Sequence, residues 1–294
     1  MILARWISGA LLAAAIAAGT LAQRPVNHPP ISLGGYQVLA ADFHVHVFPM
    51  NWTTLAPWDA VLEAQRHGLD VAAVIGHNHL WFSQAARWFS RNLGGPEILP
   101  GEEIVTPTYH LIGLGLQTSV GWRQTAAEAV DAVHQQGGVA IAAHPEMPYW
   151  RAWDAAAMRD LDAAEVVHPD AYRSAEKYAQ LRQFYDRKPL TAIGSSDFHG
   201  NGQPGSSRTY VFVRENTQPG ILQALRERHT VVYDRAGRAY GDPELIRLAA
   251  EDGHLPVPDP NSTPAGLLGK CSRIAGLLGL LVALFFGLSR DRLP

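Results

Sequence analysis

The chain has 294 residues and a formal net charge of −3, long enough for one large α/β domain or two small ones and without the basic excess of a nucleic-acid-binding surface. Its one cysteine, Cys271, excludes an intrachain disulfide and a cysteine-rich zinc site. Histidine is abundant, with thirteen copies.

Residues 1–22 carry a single charge, Arg5, before an apolar stretch from Ile7 to Ala18 and the small-residue run Thr20-Leu21-Ala22. This pattern is a secretory signal or an uncleaved anchor. Residues 23–35, rich in Pro and polar side chains, read as a linker. A mostly apolar run from Tyr36 to Ala41 then reads as a buried strand leading into Asp42-Phe43-His44-Val45-His46. On a strand, residues two apart share a face, so His44 and His46 present two imidazoles side by side, suited to one divalent metal.

From there to about residue 250 strand-like and helix-like stretches alternate. Short apolar runs fall at 38–41, 71–75, 97–99, 109–114, 139–142, 164–167, 190–193, 210–213 and 230–232. Amphipathic stretches fall at 57–66, 123–136, 174–186 and 219–228. Such alternation predicts parallel strands with helical crossovers, and about seven units in one domain favour a barrel over an open sheet. Ligand-type residues follow these runs: His77 and His79, Glu102 and Glu103, His110, His144, His168, then Asp197 and His199. In a βα barrel the carboxyl ends of the strands share one face, which carries the active site. Clustered imidazoles and carboxylates there predict bound metal, since burying them unpaired is costly.

Beyond residue 250, 251–273 reads as a tether and 274–289 as an uncharged transmembrane segment, about 24 Å long as a helix. Lys270, Arg273, Arg290 and Arg292 flank it and would snorkel to lipid headgroups. The expected localisation is therefore a membrane-anchored domain outside the cytoplasm.

Together these motifs resemble the PHP (polymerase and histidinol phosphatase) superfamily of metal-dependent phosphoesterases. The correspondence runs in order through Asp42-Phe43-His44-Val45-His46, Ile75-Gly76-His77-Asn78, Gly101-Glu102-Glu103 with His110, His144-Pro145, and Gly194-Ser195-Ser196-Asp197-Phe198-His199. The resemblance implies a distorted (β/α)7 TIM-like barrel over 36–250 with two or three divalent ions (manganese, zinc or iron) and a small phosphorylated substrate. One ion would take His44, His46, Glu103 and Asp197. A second would share Glu103 and add His110 and His144. A third would use His77 and His199. Asp197, His199 and His77 are the implied catalytic residues. Two departures stand out: Val47-Phe48-Pro49-Met50-Asn51 replaces the family's Ser-Asp-Gly, and Gly76 replaces the Asp of its second motif. These predict a weak or absent third ion unless His79 or His168 fills in.

Arg208 and Arg173 are candidates to hold the substrate phosphate. Trp52, Trp58, Trp81, Trp122, Trp150 and Trp153 fall in stretches that would line the mouth, as a stacking wall or as packing. Two other readings stay open: a metal-dependent amidohydrolase, with Glu103 in place of a bridging lysine, and a catalytically degenerate membrane-anchored binding module.

Overall fold

The computed structural model describes residues 2–22, 29–48, 53, 55–199, 202–252, 255 and 266–287. In chain order its elements are α1 (Ile2–Ala22), β1 (Ile31–Leu33), β2 (Tyr36–His46), α2 (Pro57–Arg66), β3 (Val71–Ile75), α3 (Trp81–Leu93), β4 (Glu97–Ile98), β5 (Gly101–Val105), β6 (His110–Leu114), α4 (Ala126–Gln135), β7 (Val139–Ala142), α5 (Ala155–Asp160), β8 (Ala163–Val167), a 3-10 turn (Pro169–Arg173), α6 (Ala175–Tyr185), β9 (Thr191–Gly194), β10 (Thr209–Val213), α7 (Gln218–Arg226), β11 (Thr230–Tyr233), β12 (Ala239–Gly241), α8 (Pro243–Asp252) and α9 (Leu267–Gly287).

Local chemistry explains the legible helices. Pro57 opens α2 at a position where its missing N–H costs nothing. Thr125 caps α4: its Oγ1 accepts from Glu128 N while Glu128 Oε2 accepts from Thr125 N, a reciprocal pair. α3 escapes periodicity because Trp81 and Trp88 lie on its exposed face. β1 falls within the expected linker and pairs antiparallel with β2.

The strands form two sheets rather than one continuous ring. The first runs β12-β11-β10-β2-β3-β4, with β1 also on β2; the second runs β5-β6-β7-β8-β9. Pairing is parallel in β2-β3-β4 and β7-β8-β9, and antiparallel in β10-β2 and β5-β6-β7. The expectation of parallel crossovers throughout is thus met only in part. β5 and β6 form a hairpin because four residues join them, too few for a crossover. Glu103, expected past a strand end, lies inside β5.

The two sheets meet at the motif residues. His77 and Glu103 form an isolated parallel bridge, and Val45 and Phe198 form another. Backbone bonds at these seams include Asn78 N to Glu103 O (2.8 Å) and His46 N to Phe198 O (3.1 Å).

An irregularity in β2 decides what faces inward. Leu39, Ala41 and Phe43 pack in the buried cluster with Ile112, Ile141 and Ile193, whereas Val38 and Ala40 pack in a different cluster with Val61 and Ala64 of α2. Beyond Phe43 the parity reverses: Val45 and Val47 join the α2 side. The register of β2 on β3 shifts between Asp42 and Val45, and a bulge of this kind swaps the faces of all later residues. It turns His44 and His46 inward.

α1 and α9 stand apart in composition. Each is long and apolar enough to cross a membrane, by length and composition, and they pack against each other. α9 begins at Leu267, seven residues before the expected segment.

Candidate metal centre

Four strand-derived groups converge at the seam. His44 Nε2 lies 2.9 Å from His46 Nε2. Asp197 Oδ1 lies 3.0 Å from the first and 3.1 Å from the second. Glu103 Oε2 lies 3.4 and 3.3 Å from the same two nitrogens. Donors about 2.0–2.2 Å from one ion sit roughly 3 Å from each other, so the spacing fits a single cation. Asp197 Oδ1 is buried and makes no acceptable hydrogen bond although three ring nitrogens lie near it. The donors point at a shared centre rather than at one another.

Glu103 faces two groups at once. Its Oε2 looks toward His44, His46 and His77, the last at 3.2 Å. Its Oε1 lies 2.8 Å from His110 Nδ1 and 3.3 Å from His144 Nε2. Two further triads share these residues: His44, Glu103 and His144, and His46, His77 and His199.

Electrostatics match a cation site. Burial opposes charge on Glu103 and Asp197, but His44 and neighbouring imidazoles outweigh it and hold both carboxyls well below the usual range. Burial likewise opposes charge on His44, while Asp197, Glu165 and Glu103 hold it well above an ordinary imidazole. His144 is raised to about 9, its burial outweighed by Glu103. Protons on these rings balance the carboxylates, and a divalent ion would displace them.

One site residue, Glu165, escapes motif reading. Glu165, in the middle of β8 and fully buried, places Oε1 2.9 Å from His44 Nδ1. It accepts Ser195 Oγ on the same oxygen and His144 N (2.7 Å) on the other. His168, at the end of β8, sits 3.3 Å from Asp197 Oδ2 and forms a triad with His44 and Glu165. The lone carboxylate in the run Ala163-Ala164-Glu165-Val166-Val167 was the available signal, since a buried charge needs partners.

Asp42 faces elsewhere: it accepts His44 N (3.2 Å) and Ser196 N (3.1 Å) on Oδ1 and Gly205 N (2.7 Å) on Oδ2. It ties the loop before β10 to β2. Both serines of this loop join the network, Ser195 on Glu165 and Ser196 on Asp42. His144 and Asp197 have positive φ, 27° and 44°, a strained backbone of the kind found at functional sites.

The cavity here has a volume of about 270 Å³, and Lys177, Glu146 and Tyr149 share its lining with the histidines. Tyr149 lies over His110 with ring centroids 4.0 Å apart. Lys177 pairs with Glu146.

Over 142 residues the chain is 30% identical to an uncharacterised protein of Methanocaldococcus jannaschii, covering 82% of that protein and 44% of this chain. It belongs to the same family as that archaeal protein. No family model matches it. A crystal structure of a two-domain protein from Bacteroides vulgatus containing a predicted PHP-like metal-dependent phosphoesterase has a TM-score of 0.63 to it. The identity is 23%, over 78% of this chain and 74% of that one. The chain has the PHP fold.

On this PHP fold the eight residues expected as ligands, His44, His46, His77, Glu103, His110, His144, Asp197 and His199, fall in one connected cluster. The two arginines do not join them. Arg208 spends its guanidinium on the carbonyls of Gly205 (3.0 Å) and His67 (3.1 Å). Arg173, largely exposed, pairs with Asp170 at 3.1 Å. Neither lines the cavity, whose lysine among the described residues is Lys177. None of the described tryptophans lines it either; Trp153 is buried against Tyr109 and Phe184, and Trp52 lies outside the described residues. His79 takes part in no triad among those residues. Its ring covers Gly76, where a Cβ would stand 2.2 Å from His79 Cε1. The Asp that the resemblance would place here would meet that ring.

Proposed function

We propose that this protein is a metal-dependent hydrolase of phosphoester bonds, acting on a small phosphorylated substrate. The observation that carries the reading is Glu103, with one oxygen turned to His44, His46 and His77 and the other to His110 and His144. A carboxylate in that position is suited to bridge two ions.

In this reading His44, His46, Glu103 and Asp197 hold one divalent ion, and Glu103, His110 and His144 hold a second. His77 and His199 are the remaining pair for a third, with manganese, zinc or iron as the suited metals. The chemistry such ions supply when bound is acidification of water and neutralisation of phosphoryl oxygens. Glu165 fixes His44 so that Nε2 faces the ions. His199 or His77, when not a ligand, protonates the leaving alkoxide. Lys177 takes the role expected of Arg208 and Arg173, contacting the substrate phosphate from the rim. The two sheets, joined at their seams, act as one distorted (β/α)7 barrel over residues 36–250. The apolar terminal helices tether it to a membrane outside the cytoplasm.

The amidohydrolase reading has less support, because Lys177 pairs with Glu146 at the rim and Glu103 occupies the bridging place. The test is a panel of phosphomonoesters, phosphodiesters and amides assayed with the metal-replete full chain in detergent. Chelator-sensitive turnover of a phosphoester supports the proposal; turnover of amides alone refutes it.

A further inference from the structure

The sequence leaves open whether residues 1–22 are removed as a signal or kept. We infer that α1 is retained in the mature protein as half of an antiparallel membrane hairpin with α9, and that the hairpin's outer surface takes a lipid bilayer as its partner. The inference deepens the tether reading above and is independent of the chemistry assigned to the metal centre.

The register is fixed by hydrogen bonds between the helices. Ser8 Oγ donates to Gly279 O at 2.8 Å, and Ser272 Oγ donates to Ala15 O at 2.5 Å. Early α1 therefore meets late α9, and the reverse. Both serines are buried by the neighbouring helix. Glycines allow the approach: a Cβ on Gly19 would stand 2.5 Å from Leu62 and 2.7 Å from Ser272, and one on Gly279 would stand 3.1 Å from Leu12. Small residues at the crossing and serines satisfied by the partner helix are how helices pair where the surroundings offer neither water nor hydrophobic drive.

The hairpin is also seated on the enzyme domain. Gly276 lies under Trp58 of α2, where a Cβ would stand 2.6 Å from the ring. Arg273 of α9 pairs with Glu63 of α2, which also holds Arg66 at 2.6 Å. Cleavage after Ala22 would strip Ser272 of its acceptor and expose the face of α9 that α1 covers.

The outward faces fit lipid. Trp6, Leu3, Ile274 and Phe285 are 60–75% exposed. Each helix has 21 residues; α9 lies beside α2 as far as Gly276, so its last eleven residues, about 16 Å at 1.5 Å per residue, with the facing start of α1, are the part that enters lipid. The described residues of the two helices carry three charges, Lys270 and Arg273 beside the domain and Arg5 near the far end. An antiparallel hairpin puts Ile2 and Gly287 at the same end, opposite the domain.

The test uses the full chain expressed in a bacterial host, with a protease-removable tag at each end. Membranes are washed in alkaline carbonate, the chain's intact mass is measured, and sealed vesicles are digested from each side. The expected result is a carbonate-resistant chain retaining residues 2–22, with both tags removed from the same side. A carbonate-resistant chain lacking the first 22 residues, or tags cut from opposite sides, overturns the hairpin while leaving a tether. A carbonate-soluble chain, whether monomer or a dimer burying these faces in a second copy, overturns the bilayer partner and the tether together.

Discussion

His44 Nδ1 lies 2.9 Å from Glu165 Oε1, and both side chains are wholly buried. With Nδ1–H given to the carboxylate, Nε2 is the nitrogen left facing His46, Asp197 and Glu103. Glu165 thereby sets the tautomer and the angle of the His44 ring, the ligand proposed above. Glu165→Gln keeps an acceptor for Ser195 or His144 N but loses the charge. We predict metal affinity and turnover both falling about 10–100-fold, and a lower unfolding midpoint of the metal-free protein, because the neutral amide no longer offsets the charge on His44. Competition binding with a chromogenic chelator, beside thermal denaturation, checks it. Unchanged affinity would mean that Glu165 only fills space.

Gly76 and His79 form a second coupled pair. Gly76→Asp should not restore a third ion site, because the new side chain meets the His79 ring. It should destabilise by about 1–3 kcal/mol, the usual cost of overpacking. Adding His79→Ala should recover most of that loss. A double-mutant cycle from urea denaturation measures the coupling, and additive effects of the two changes would refute it.

Lys177 stands at the cavity rim. Lys177→Met should raise KM about 10–100-fold with kcat changed little, as expected for loss of one charge-assisted contact of about 1.5–3 kcal/mol. Glu146→Gln frees Lys177 from its partner and should lower KM. Steady-state kinetics of the pair decide it; an equal fall in kcat for both variants would assign them to folding of the rim instead.

Away from the site, His134 Nε2 lies 2.8 Å from Asp162 Oδ2. The hydrogen bond to Asp162 raises the imidazole above its usual value, against partial burial. A base with a raised folded value stabilises fully below its unfolded value, near 6.5, and loses that contribution as pH rises through the folded one. The pair is partly exposed, so its worth is under about 1 kcal/mol. The stability difference between parent and His134→Gln should be larger at pH 5.5 than at pH 9. The same difference at both would show that the ring contributes by packing alone.

The clustering of these side chains was readable because the expected ligands obey simple spacing. His44 and His46 are two apart on a strand, and His144 and Asp197 close apolar runs, so strand logic alone brings them together. Other features were not readable. The bulge in β2 reverses parity without any glycine or proline to mark it. Glu103 lies within a hairpin strand because the connection to β6 is too short for a crossover, a constraint felt only once both strands are placed. Arg208 looked free, yet backbone carbonyls of Gly205 and His67 claim it, and such carbonyls leave no trace in side-chain pattern. Lys177 lies in the amphipathic stretch 174–186, where nothing in the pattern turns it toward the mouth.

The central claim is that Glu103 bridges two ions and that both are needed for hydrolysis. The direct measurement is metal content per chain, by elemental analysis, beside turnover of a phosphoester, for the parent, Glu103→Gln and His77→Ala. The account predicts two firmly held ions in the parent, as in two-metal phosphatase sites of about 3.5–4 Å separation. It predicts loss of both ions and of activity in Glu103→Gln, and two ions with a reduced rate in His77→Ala. A Glu103→Gln protein that keeps its metal and its rate, or a metal-free parent that hydrolyses at full speed, would contradict it.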